Sequence, residues 1–265
     1  MTISLIISTY NWHKALELVL ISVIKQSKMP DEIIIADDGS DFKTKKIINT
    51  FKKKTSCPII HVWHKDMGFR KTSILNKAIK ISTSLYHIEI DGDIILHKDF
   101  IYDHYNFAEK GSFIQGSRVL LGENITDKIL SIKQTSFNCF MKDITNRINM
   151  IRWPLISILF SKKKLNITSI RGCNISYWRK DMITINGYNE KMTGWGREDS
   201  EMAARLINNG IYKRKLKFAG ITYHLYHEIN SRKSININDQ ILHETISNKT
   251  KYCKNGINKM INESD

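Results

Sequence analysis

The feature that most constrains this chain is the alternation, through its first third, of strand-length apolar runs with segments of helical period. Ile3 to Ser8 is a continuous apolar run, and Lys14 to Gln26 places Leu16, Val19, Leu20, Val23 and Ile24 at helical spacing. Glu32 to Ala36 reads as strand, Lys43 to Lys53 as helix, Pro58 to Trp63 as strand and Lys71 to Ile81 as helix. That last helix leads into the apolar run that begins at Tyr86. Strands and helices alternating in this way build a parallel sheet covered by helices, and such sheets bind ligands at the carboxyl ends of their strands. The expected class is α/β, with a mostly parallel central sheet flanked by helices.

Polar clusters fall at three of these strand ends: Ser8-Thr9-Tyr10-Asn11, Asp37-Asp38-Gly39-Ser40 and Asp91-Gly92-Asp93. In the last, the carboxylates share a strand face, and Gly92 loosens the backbone so that both can converge on one point. Like charges that close repel, and Mg²⁺ or Mn²⁺ with oxygen ligands neutralises them and then holds a phosphate. Each cluster alone also fits something plainer, an Asp-Gly hairpin turn or a helix N-cap. Their coincidence on one edge favours a nucleotide site. No GxGxxG or GxxxxGK[ST] loop occurs, so phosphate binding falls to the metal and to Arg70 and Lys71. Asp38 suits a base N–H, and Tyr10 suits stacking on the base.

At 265 residues and 42% hydrophobic content the chain suits one large domain. Lys and Arg exceed Asp and Glu by 41 to 26, a formal charge of +15, which calls for an anionic partner. Cys57, Cys139, Cys173 and Cys253 show no CxxC spacing, fitting a reducing compartment without zinc. The N-terminus lacks a signal-peptide pattern and no run approaches the ~20 apolar residues of a membrane span, so residence in the cytoplasm is expected. The longest apolar candidate, Met150 to Phe160, is interrupted by Arg152 and Pro154 and followed by Lys162-Lys163-Lys164. It reads equally as a helix on the core or as peripheral contact with the inner, anionic face of a membrane.

A second block runs Arg171-Gly172-Cys173-Asn174, then Gly194-Trp195-Gly196-Arg197-Glu198-Asp199, which opens a helix predicted over Ser200 to Asn208. Glycines flanking a tryptophan let backbone approach a ligand, and an indole is a platform for a sugar face. Glu198 and Asp199 also suit the helix dipole, so capping explains each singly. Taken together, the chain resembles a family 2-type inverting glycosyltransferase with the GT-A fold: a strand ending near Tyr-Asn, then Asp-Asp-Gly-Ser, then a DxD. Gly-Trp-Gly-Arg-Glu-Asp resembles the motif of galactosyltransferase-type enzymes, chondroitin-polymerase-like ones included.

The resemblance implies that Ser8, Tyr10, Asn11, Asp38 and Arg70, with Asp91, Trp195 and Gly196, bind a UDP-sugar donor. It implies Asp91 and Asp93 as the Mn²⁺ or Mg²⁺ motif, Asp93 the direct ligand, with His224 or His227 adding another. Asp199 matches the general base, beside Glu198. The acceptor implied is a saccharide or lipid-linked saccharide of surface polysaccharide synthesis. The domains expected are 1–227, catalytic, divided into a nucleotide-binding half (1–115) and an acceptor-binding half (116–227), and a helical extension over 228–265. Two other classes share some features. A nucleic-acid module would use the +15 but would be repelled by acidic strand ends, and a nucleotidyltransferase or phosphohydrolase would leave Gly194 to Asp199 without a role.

Overall fold

The computed structural model describes residues 1–228 and 234–258; the stretches 229–233 and 259–265 of the C-terminal segment lie outside the described residues. The first third is built as its pattern predicts: β1 (Ile3–Thr9), α1 (His13–Val23), β2 (Glu32–Asp37), α2 (Phe42–Lys52), β3 (Ile59–Trp63), α3 (Lys71–Ile81) and β4 (Tyr86–Asp91). There follow β5 (Ile94–Leu96), α4 (Phe100–Phe107), β6 (Ser112–Gln115), β7 (Val119–Leu121), α5 (Glu123–Ile132), β8 (Ile144–Thr145), α6 (Pro154–Phe160) and β9 (Lys163–Lys164). The chain continues through β10 (Asn174–Trp178), α7 (Arg179–Thr184), α8 (Glu198–Asn208), β11 (Tyr212–Lys215), β12 (Thr222–His224) and α9 (Ile235–Ser247).

The main sheet has eight strands in the order β3-β2-β1-β4-β10-β6-β11-β9. β3, β2, β1 and β4 are mutually parallel, while β10 runs antiparallel to both of its neighbours. Side chains alternate across the pleat. Leu5 and Ile7 of β1 join Leu16, Val19 and Leu20 of α1 on one face, and Ile6 joins Ile74, Leu75 and Ala78 of α3 on the other. Both faces being covered, β1 is apolar almost throughout, and each fully buried Ile or Leu contributes about 1.5–3 kcal/mol. A second sheet, β5-β12-β7-β8, packs Ile95, Val119 and Tyr223 against Ala15 and Leu18 of α1 and Ile129 of α5.

α9 packs in the same body. Asn238 donates through Nδ2 to the Gly196 carbonyl at 2.9 Å, and Ile257 joins the apolar cluster that holds Tyr188 and Met202. Buried polar groups knit the sheet elsewhere: the hydroxyls of Ser176 and Tyr86 share a hydrogen bond of 2.8 Å, and His104 Nδ1 lies 2.8 Å from Ser176 Oγ.

Candidate active site

The parallel register sets Ser8 beside Asp91 and Thr9 beside Asp37, so the ends of β1, β2 and β4 form one edge. Asp37 serves the turn: one oxygen accepts the Ser40 backbone N–H at 2.8 Å and the other lies 2.8 Å from His61 Nε2. Asp38, also largely buried, lies beside it on the same edge. It accepts the Arg70 backbone N–H at 2.8 Å and sits 2.6 Å from His64 Nε2, and each oxygen keeps a lone pair for a further donor. Asn11, in a left-handed turn at φ 46°, donates its N–H to Ser40 Oγ and accepts the Asp41 N–H, tying the ends of β1 and β2. The exposed Tyr10 donates its hydroxyl to Asp66 at 2.9 Å, and Arg70 has a buried Nε without a partner among the described residues. These four residues form an open polar wall.

The two carboxylates of the Asp-Gly-Asp turn do not converge on one cation as expected. Asp91 closes β4 and accepts Lys71 Nζ at 2.7 Å and Ser8 Oγ at 2.9 Å, so a lysine neutralises it. Burial pushes Asp91 up, but the Lys71 charge and these bonds outweigh it and leave the carboxyl below its ordinary value. Burial likewise disfavours the Lys71 ammonium, yet Asp91, Asp199, Glu198 and Glu89 hold it well above the ordinary lysine range. Asp93, past the turn, faces the end of β12. Its Oδ2 lies 3.7 Å from His224 Nε2 and 3.3 Å from His227 Nε2.

Asp93, His224 and His227 each present a ligand atom, all within 4.8 Å of one another. Both histidines between which the sequence left a choice open reach this cluster. Asp93 Oδ1 is buried without a partner among the described residues, the signature of a group arranged for a cation. Burial, with the Asp91 charge, pushes Asp93 up to about 7. Burial and the Arg118 charge bring His224 down to about 4, so the ring is neutral, as a ligand must be. The residues therefore fit a divalent metal, and two imidazoles beside one carboxylate suit Mn²⁺ better than Mg²⁺.

Gly194-Trp195-Gly196-Arg197 leads into α8, and the sequence expectation of a helix from Ser200 is corrected by two residues: the acids lie inside its first turn. Glu198 accepts the Gly196 N–H at 3.0 Å and is pushed up to about 7, by burial first and then by Asp199. It holds the loop. Gly196, at φ +110°, occupies a backbone conformation that L side chains rarely adopt. Asp199 accepts the Gly172 N–H with Oδ2 at 2.6 Å, while Oδ1 is buried without a partner among the described residues. A Cβ on Gly172 would come within 2.3 Å of that carboxylate, so only glycine permits the approach. Burial raises the Asp199 carboxyl, with Lys71 opposing and Asp91 adding.

A cavity of about 400 Å³ brings Asp91, Trp195, Gly196, Glu198 and Asp199 together with Lys71, Arg118, Arg171 and Cys173. Ser8 reaches it through Asp91, whereas Tyr10, Asn11, Asp38 and Arg70 stand outside on the polar wall. A shallower hollow on α2, lined by lysines and Phe42, carries no acid, thiol or imidazole. Arg118 had no signal in the sequence, and Cys173 lay in the second block without a role of its own. Arg118 donates to Cys173 Sγ at 3.3 Å, and its Nε is buried without a partner among the described residues. It follows the polar pair Gly116-Ser117 just beyond β6, where hydrophobic periodicity lapses.

A mostly parallel sheet with acids at its carboxyl edge, a carboxylate–imidazole cluster beside it and an unpartnered buried carboxylate on the wall of a cavity that Trp195 also lines define a GT-A glycosyltransferase. Residues 4–182 match the domain described as glycosyl transferase family 2, and the chain belongs to that family. Residues 154–228 match the N-terminal domain of galactosyltransferase. The chain is similar to chondroitin synthase of Escherichia coli, 25% identical over 238 residues, covering 84% of this chain and 34% of that protein. It is also similar to poly-beta-1,6-N-acetyl-D-glucosamine synthase of Staphylococcus epidermidis, 28% identical over 189 residues, covering 69% of this chain and 43% of that one. The chain thus spans less than half the length of these two relatives. Among solved structures, S. aureus TarS 1-349 in complex with UDP superposes with a TM-score of 0.63 at 17% identity, over 94% of this chain and 68% of that one. A mannosyltransferase of Pyrobaculum calidifontis in complex with GDP-Man and Mn²⁺ gives 0.56 at 15%, over 85% and 57%.

Proposed function

We propose that this chain is an inverting, metal-dependent transferase that moves a hexose or N-acetylhexosamine from a UDP-sugar to a saccharide or lipid-linked saccharide in surface polysaccharide synthesis. The observation that carries this reading is Asp199, a buried carboxylate on the cavity wall with one oxygen anchored by the Gly172 N–H and the other without a partner among the described residues. In that position Oδ1 takes the proton from an acceptor hydroxyl. The acceptor oxygen attacks the anomeric carbon from the face opposite the nucleotide, the C–O bond to the diphosphate breaks, and its electrons leave with UDP. Trp195 offers the sugar an apolar face. Lys71 and Arg118 supply positive charge toward the departing diphosphate. Asp93, His224 and His227 would hold the metal, Mn²⁺ by the donor set, and when bound it would supply positive charge for the leaving diphosphate. Tyr10, Asn11, Asp38 and Arg70 form the uridine side, and Ser8 steadies Asp91. The UDP and UDP-GlcNAc complexes of TarS and the named activities of the relatives support the donor and the setting.

The enzyme works in the cytoplasm and meets the membrane, if its acceptor is lipid-linked, as a peripheral protein. No helix among the described residues is long and apolar enough to cross a bilayer. The test is UDP release from a panel of sugar nucleotides with Mn²⁺ and with EDTA, slow hydrolysis to water standing in for transfer. Metal-dependent release from one donor establishes the class. Failure of both release and UDP binding across the panel overturns the reading.

A further inference from the structure

Helix α6 is built inside out. A surface helix ordinarily buries an apolar stripe and shows polar residues to water. Here Leu155, Ile158 and Leu159, spaced i, i+3 and i+4, are 77%, 62% and 69% exposed, while Ser157 is fully buried. Ile151, Trp153 and Phe160 extend the exposed apolar surface at either end. The helix is held to the body by its flanks. Arg152 pairs with Asp103 at 2.6 Å, the Trp153 N–H donates to the Phe218 carbonyl at 2.8 Å, and Ser161 Oγ donates to the Lys215 carbonyl at 3.1 Å. An apolar patch of this kind left facing water marks a surface for something else.

The surrounding charge says what. Between Asp143 and Asp181 the chain contains no acidic residue, whereas Arg152 precedes α6 and Lys162, Lys163 and Lys164 follow it. Lys163 is paired with Glu109, but Lys162 and Lys164 stand exposed beside it. Lys217 lies over the rings of Phe160 and Phe218, at 5.2 and 4.9 Å from their centroids, and so adds its charge at the margin of the patch. Exposed Leu, Ile, Trp and Phe bordered by lysines match a bilayer boundary, apolar side chains entering the acyl region and ammonium groups meeting anionic headgroups.

We infer that α6 and its lysine rim form a docking surface for an anionic phospholipid bilayer, holding the catalytic chain at the membrane. The inference rests on the peripheral-membrane part of the proposed function and not on the sugar chemistry. It is tested by floating the full chain with vesicles of phosphatidylcholine alone and of phosphatidylcholine with about one quarter phosphatidylglycerol. The chain floats with the anionic vesicles and not the neutral ones, and binding falls as salt rises toward ~0.5 M. Leu155→Ser with Leu159→Ser, and separately Lys162→Glu with Lys164→Glu, each lower partitioning by on the order of 10²-fold. Their Tm and UDP affinity stay at the parent values, because none of the four residues enters the core or the cavity.

Absence of flotation at low salt overturns the inference, as does flotation that both variants retain. So does a dimer by light scattering that Leu155→Ser with Leu159→Ser dissociates, without vesicle binding, since the patch then belongs to a second copy. Loss of UDP binding with flotation intact would strike the sugar-transfer reading and leave this one standing.

Discussion

Asp199 and Asp93 are both buried carboxylates with an oxygen left open, yet their surroundings assign them different work. Asp199 is anchored by one N–H, with a lysine and a tryptophan nearby. Replacing it with Asn keeps the Gly172 hydrogen bond but removes the proton acceptor, so transfer falls at least ~10²-fold while UDP affinity by calorimetry is unchanged. Because burial raises this carboxyl, and only its ionised form accepts a proton, the acid limb of the activity profile lies above the ordinary aspartate value, and turnover rises with pH through it. Asp93→Ala deletes the carboxylate of the three-residue cluster, and metal-dependent UDP binding weakens instead. Equal UDP affinity in that variant, with and without Mn²⁺, would remove the cluster from its role. These residue types were legible in the sequence, and the family resemblance already set Asp199 apart as base and Asp93 as the direct ligand, but the partner of Asp91 was not legible: only folding brings Lys71 to it and both histidines to Asp93.

Elements were legible where hydrophobic periodicity was strong. β1 to β4 and α1 to α3 carry apolar residues at unbroken strand or helix spacing because both sheet faces are covered. β10 escaped notice, although it sits between β4 and β6, because Asn174 and Ser176 are polar and buried and find partners only in the fold. α8 was foreseen, but its anchor was not. Arg205 is fully buried, binds Glu201 at 2.7 Å and donates to the Ile185 and Gly187 carbonyls, fixing the helix whose first turn carries Asp199. Removing one partner strands the other charge, so Arg205→Ala is expected to cost about 3–5 kcal/mol, measured as a lower urea midpoint. An unchanged midpoint would show that Glu201 is solvated or protonated at little cost.

Across the whole molecule, residues from distant parts of the chain close a single edge. The residues proposed for the uridine side come from the first seventy or so positions of the sequence, while Asp199 comes from α8 and the two histidines from the end of β12 and just beyond it. Within the region between β7 and β9, the stretch around α6 gave no core pattern because its apolar residues, Leu155, Ile158 and Leu159 among them, face the surface, and core packing is what periodicity reports. The cluster of Asp93, His224 and His227 has a mechanical side as well. It joins the turn after β4 to the strand that β5 borders, where the Leu225 N–H already donates to the Asp93 carbonyl at 3.0 Å. An ion seated there acts as a removable rivet between two segments far apart in sequence, binding the folded chain and having no such site in the unfolded one. Titrating Mn²⁺ in a thermal melt should therefore raise Tm by roughly 5–10 °C at ~100 times its dissociation constant, and Asp93→Ala should leave the melt indifferent to the ion.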